Sequence, residues 1–97
     1  MPMQNLRISA DTLAKLGGKH KVERREVEQC FSNRTGRLLT DTRAQHKSNP
    51  PTLWFLAPTN KGRVLKVVYI QDGPHIDLRS SFEPNPAETA IYAKHGV

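Results

Sequence analysis

The sequence predicts an α+β domain, and three observations carry that prediction. Apolar residues at helical spacing fall in the N-terminal part of the chain, and a capping pattern marks one more helix in its last dozen residues. Between them, period-two runs follow one another across short turns, the pattern of an antiparallel meander. The length of 97 residues is that of one small domain, which buries only about two-thirds of its unfolded surface around a single core. The expected architecture is a single domain over 1–97, with two N-terminal helices, a four-stranded, mostly antiparallel sheet and a C-terminal helix.

Each element has a local reason. "LRIS" at 6–9 reads as a short edge strand. Ser9 and Asp11 can cap a first helix with Leu13 and Leu16 as its apolar face, and Gly17-Gly18 is expected to end it. A second helix is expected over about 22–32, where Val27, Cys30 and Phe31 form an i, i+3, i+4 stripe and Glu23 and Glu26 suit the first turn. Cys30 accordingly reads as a small core residue. "GRLLTDTR" at 36–43 is expected to be a strand that runs into the polar loop "AQHKSNPP". Asn49-Pro50-Pro51 in that loop excludes helix. "TLWFLA" at 52–57 and "RVLKVVYIQ" at 63–71 read as strands joined by the turn "PTNKG", and Asp72-Gly73 signals the next tight turn. "HIDLRSSF" at 75–82 alternates, with Ile76, Leu78 and Phe82 on one side and Asp77, Arg79 and Ser81 on the other. In "EPNPAETAIYAKHG", Asn85 is the N-cap, Pro86 the first helical residue, Glu88 the N3 partner of a capping box and Gly96 the stop.

Composition narrows the function. No apolar run approaches the roughly 20 residues of a membrane span, and "MPMQNLRISA" lacks the layout of a signal peptide, so the cytoplasm is the expected compartment. A single cysteine leaves no internal disulfide, and His20, His46, His75 and His95 show no paired ligand spacing, so neither metal nor cofactor is expected. The net charge is +6, with ten Lys/Arg against five Asp/Glu over 1–49 and five against four over 50–97. That balance favours a polyanion or an acidic protein as partner.

The sharpest feature is Lys66, which interrupts the Val64, Val68, Ile70 face of the most apolar strand. An antiparallel sheet with helices on one side leaves its other face partly open, and Lys66 is expected to mark that face. There it either pairs with Asp77 across the ladder or, with Arg43, His46, Lys61, Arg63 and Arg79, belongs to a basic cluster on the sheet and its loops. Grouped cations repel unless an anion is expected, and a phosphodiester is the common one.

Four stretches carry a resemblance. "KHKVERREVEQCF" at 19–31, "DTR" at 41–43, "GRVLKVVYI" at 62–70 and "IDLRSSFEPNPAETAIY" at 76–92 follow in order the layout of BrnT-type toxins. The resemblance spans about 19–92. It implies a compact RelE-like ribonuclease fold, RNA cleavage that halts translation, and neutralisation by an antitoxin, a small DNA-binding repressor. Three positions depart from the family pattern. Lys21 stands in place of a glycine, Glu23 in place of a serine, and Ser80-Ser81-Phe82-Glu83 lacks the family's arginine after the strand.

RNA cleavage without metal requires a base for the 2′-OH, stabilisation of the phosphorane and an acid for the 5′-oxygen. The candidate catalytic residues are His46, Lys66, Arg79, Glu88 and Tyr92, the last two from the E-x-x-x-Y of the family layout. The candidate RNA-binding residues are Arg43, Lys61, Arg63, Lys66 and Arg79. Asp41 would support Arg43, His20 would cap the first helix, and His75 and His95 look incidental. Trp54 is either a stacking platform or core. The alternative function is a non-enzymatic module of the same fold that binds nucleic acid or a partner protein.

Overall fold

The computed structural model describes residues 3–41 and 50–96. Arg43, His46 and most of the loop that carries them lie outside the described residues.

Strand β1 (Leu6–Arg7) leads into helix α1 (Ala10–Lys15), a π-helical turn (Leu16–His20) and helix α2 (Arg24–Asn33). Strands β2 (Leu39–Thr40), β3 (Thr52–Pro58), β4 (Val64–Asp72) and β5 (His75–Phe82) follow, then helix α3 (Pro86–His95). The sheet has five strands in the order β1-β5-β4-β3-β2. The α+β class is as expected, and β2 to β5 form the antiparallel meander. The sheet is nevertheless mixed, because β1 joins the outer edge of β5 in parallel, Leu6 opposite Ile76 and Arg7 opposite Asp77. The meander leaves that edge with unpaired backbone groups, and Leu6, 3% exposed, inserts into the core beside it.

The glycine pair does not end the first helix. The chain winds on through Leu16–His20 with Leu16 fully buried, and it stops only at Lys21, in the left-handed conformation at φ 55°. The N–H of Val22 closes the turn on the Leu16 carbonyl at 2.8 Å, the bond pattern of a helix stop that normally uses glycine. At the start of α2, Glu26 accepts from the Glu23 N–H at 3.0 Å, so that helix is capped without the serine.

Helix α2 lays Val27, Cys30 and Phe31 on the sheet as the spacing predicts. The Phe31 ring centre is 5.1 Å from Phe55 and 5.2 Å from Tyr69. This face of the sheet carries Phe55, Leu65 and Val67, all fully buried. Helix α3 covers part of the opposite face through Tyr92, whose ring lies 5.7 Å from Trp54.

Two strands differ from the expected pattern. Of the described residues 36–41, only Leu39–Thr40 form a strand, because Arg37 donates its N–H to the Gly96 carbonyl at the end of α3 instead. Gly36 is needed beside it, since a Cβ there would collide with the Tyr92 hydroxyl and the Gly96 carbonyl. In β5 a bulge breaks the alternation: Val68 faces Ser80 while Tyr69 faces Leu78, so Arg79 stands opposite no residue of β4. The extra residue turns Ser81 inward, fully buried, and Phe82 to the α3 side.

Candidate functional site

Lys66 lies on the sheet face opposite α2, but that face is not open there. Its cross-strand neighbours are Leu56 and Phe82, whereas Asp77 faces Ile70 and pairs with Arg7. The expected pairing with Asp77 is thereby replaced by another. Lys66 is 7% exposed, and its ammonium donates to Glu88 Oε2 on α3 at 2.5 Å. The same nitrogen stands 4.6 Å from the centre of the Trp54 ring and 5.7 Å from that of Phe82. A buried ammonium needs such partners, a carboxylate for its charge and aromatic faces for what remains.

The sequence around Asn85 places that carboxylate. Asn85 Oδ1 accepts from the Glu88 N–H at 2.7 Å, and Glu88 Oε1 accepts from the Asn85 N–H at 3.0 Å. Glu88 therefore caps its own helix with one oxygen and holds Lys66 with the other. One turn on, the Tyr92 hydroxyl donates to the Arg37 carbonyl at 2.8 Å. Burial pushes its pKa upward against the smaller opposing effect of Arg34. Tyr92 thus acts as a packing strut under Trp54 rather than as a free acid.

A cavity of about 510 Å³ opens beside the pair. Trp54 and Lys66 line it from the sheet, Glu88, Ile91 and His95 from α3, and Leu39, Thr40 and Asp41 from β2 and its exit. Asp41 is 9% exposed and donates its N–H to the Thr52 carbonyl at 2.8 Å. The cavity thus combines an apolar wall with a cation, two carboxylates and an imidazole, a lining suited to a small polar ligand or part of a longer one.

Of the predicted catalytic residues, Lys66, Glu88 and Tyr92 come together around Trp54. Among the described residues of the predicted basic cluster, none joins Lys66 at the cavity. Lys61 is exposed in the β3–β4 turn and Arg79 is exposed at the bulge. Arg63 is engaged on the α2 side, pairing with Glu26 at 3.2 Å and Glu83 at 3.5 Å and donating to the His20 and Lys21 carbonyls. None of these three lines the cavity. His95, incidental by its sequence position, and Asp41, expected only to support Arg43, both line the cavity. His95 was legible, since Glu88, Ile91 and His95 at i, i+3 and i+7 share one helical face.

No protein-family model matches this chain, and no curated protein does. Among the described residues, no helix is long and apolar enough to cross a membrane.

Proposed function

We propose that this chain is a small RNA-binding toxin that cleaves RNA in the cytoplasm without a metal ion, with the cavity beside Lys66 and Glu88 as its reaction site. The observation that carries the reading is the convergence on one cavity of an ammonium, two carboxylates and an imidazole, in a chain of net charge +6.

These groups match the needs of transesterification. A phosphate entering the cavity competes with Glu88 for the Lys66 ammonium. As Lys66 turns to the phosphate, the released Glu88 carboxylate becomes the base that takes the proton of the 2′-OH. The 2′-oxygen attacks phosphorus, Lys66 offsets the charge that develops on the phosphorane, and the bond to the 5′-oxygen breaks. His95 gives the leaving oxygen its proton, imidazole being the side chain suited to that exchange near neutral pH. The products are a 2′,3′-cyclic phosphate and a 5′-hydroxyl end. An antitoxin that covers the cavity would be the natural inhibitor.

The test is incubation of labelled single-stranded RNA with purified protein in the presence of a chelator. Cyclic-phosphate ends are expected, with His95→Ala slowing their formation by about a hundredfold or more at an unchanged melting temperature. RNA that is bound but left intact would support the second reading, a non-enzymatic binding module. That reading is favoured by the saturation of the Lys66 ammonium by Glu88 and Trp54. Absence of binding even at low salt would remove the nucleic-acid reading altogether.

A further inference from the structure

The corner between α1 and α2 gathers three exposed cations around one turn. Lys15, Lys19 and Lys21 are all exposed around the π turn, and none forms an ion pair with an acid among the described residues. Arg7, Arg24, Arg25 and Arg63 each hold one, and although other exposed cations such as Lys61 and Lys94 also lack one among the described residues, only here do three adjoin a single turn. The helix dipole accounts for Lys15 and Lys19, which stand in last turns. It does not account for Lys21, which lies past the helix end at φ 55°, where a side chain is strained and a glycine is not.

The strained position is also held firmly. Arg63 donates to the carbonyls of His20 at 3.1 Å and Lys21 at 2.8 Å. The space over Gly17 and Gly18 is open, since a Cβ on either would meet nothing within 4 Å. On the inner side of the corner the half-buried His20 ring rests 5.3 Å from Phe82, and Phe82 is the cross-strand neighbour of Lys66. The ring pair thus lies between the corner and the Lys66 ammonium, which stands 5.7 Å from the centre of the Phe82 ring.

We propose that Lys15, Lys19 and Lys21 form a docking surface for the phosphodiester backbone of single-stranded RNA, which then passes over the His20–Phe82 ring pair towards Lys66. The three ammonium groups neutralise successive phosphates, and the rings offer a base a stacking surface. This inference rests on the RNA reading above but does not require cleavage.

The test uses the full chain and a fluorescent 2′-O-methyl oligonucleotide, which cannot be cut, at several salt concentrations. Replacing all three lysines by glutamine is expected to weaken binding about tenfold and to flatten the slope of log K against log salt by about 2. Lys21→Gly is expected to raise the melting temperature by about 4 °C while weakening binding severalfold, two changes that a purely structural lysine would not couple. If the parent chain binds and the triple variant binds equally well with an equal slope, the docking surface is refuted and the RNA reading stands. If the parent chain does not bind at all, both fall. A Lys21→Gly protein that melts higher and binds like the parent removes Lys21 from the surface.

Discussion

Lys66 is a cation placed where the surrounding residues are apolar, and its energetics follow from its partners. The Glu88 carboxylate and the Trp54 face compensate for lost hydration only while all three are present. The long stem alone would suggest that truncation is tolerated, but truncation strands Glu88, whose side chain is only 18% exposed. Lys66→Ala is therefore expected to lower stability by about 3 kcal/mol. The double change Lys66→Met with Glu88→Gln should regain most of that, because Gln keeps the oxygen that caps α3 and no buried charge remains. Urea unfolding of the three proteins measures both. A single variant as stable as the parent would show that the ammonium is solvated after all.

At the scale of elements, β1 is the piece with the least sheet of its own, two residues paired to one neighbour. Side chains hold it in place. Arg7 donates to Asp77 at 2.6 Å and to Asp72 at 2.9 Å, and Arg24 donates to the Met3 and Leu6 carbonyls, both at 2.8 Å. The hydrogen bond from Arg7 holds Asp77 below the usual aspartate range. A carboxylate whose pKa is lower folded than unfolded stabilises the fold above its unfolded value and loses that contribution as pH falls through the folded one. Arg7→Gln should thus melt at a lower temperature than the parent near neutral pH, and the gap should close as the pH falls through the lowered folded-state value of Asp77. A gap that persists in acid would mean that Arg7 acts through packing of its stem and not through its charge. The pair is exposed on both sides, so the difference will be small and will shrink with salt.

For the whole molecule, one core spans both faces of the sheet and joins α2, α3 and β1 through it. Cys30 reports on that core. It is fully buried under α2, its thiol donates to the Ala57 carbonyl at 3.3 Å, and burial, with Glu26 nearby, pushes its pKa up to about 12. A thiol reagent can reach it only when α2 leaves the sheet. Modification is expected to be slow in native buffer and to accelerate with urea in step with unfolding. Labelling at the rate of a free thiol in native buffer would show instead that α2 opens on its own, independently of the sheet.

What the sequence determined by itself is everything whose signal is local. The Asn85-Pro86 and Glu88 pattern specifies the start of α3 and its capping box. The stripe of Val27, Cys30 and Phe31 specifies the buried face of α2, and the turns at 58–63 and 72–75 specify that β3, β4 and β5 run antiparallel. These outcomes depend on backbone geometry within a few residues, so composition and spacing carry them. Tertiary structure decided the rest. Nothing in "HIDLRSSF" marks Arg79 as the bulged residue, yet that one insertion moves Phe82 to the α3 face and Ser81 into the core. Nothing in "LRIS" says that it will pair in parallel with a strand some seventy residues further on. Lys66 stood out at once, but its partner did not. A buried cation is satisfied by whichever carboxylate the packing of a later helix brings to it, and that depends on the register of three strands and the placement of α3 together. Local signals specify which elements form; long-range packing selects which side chains meet, and the candidate site is made of such meetings.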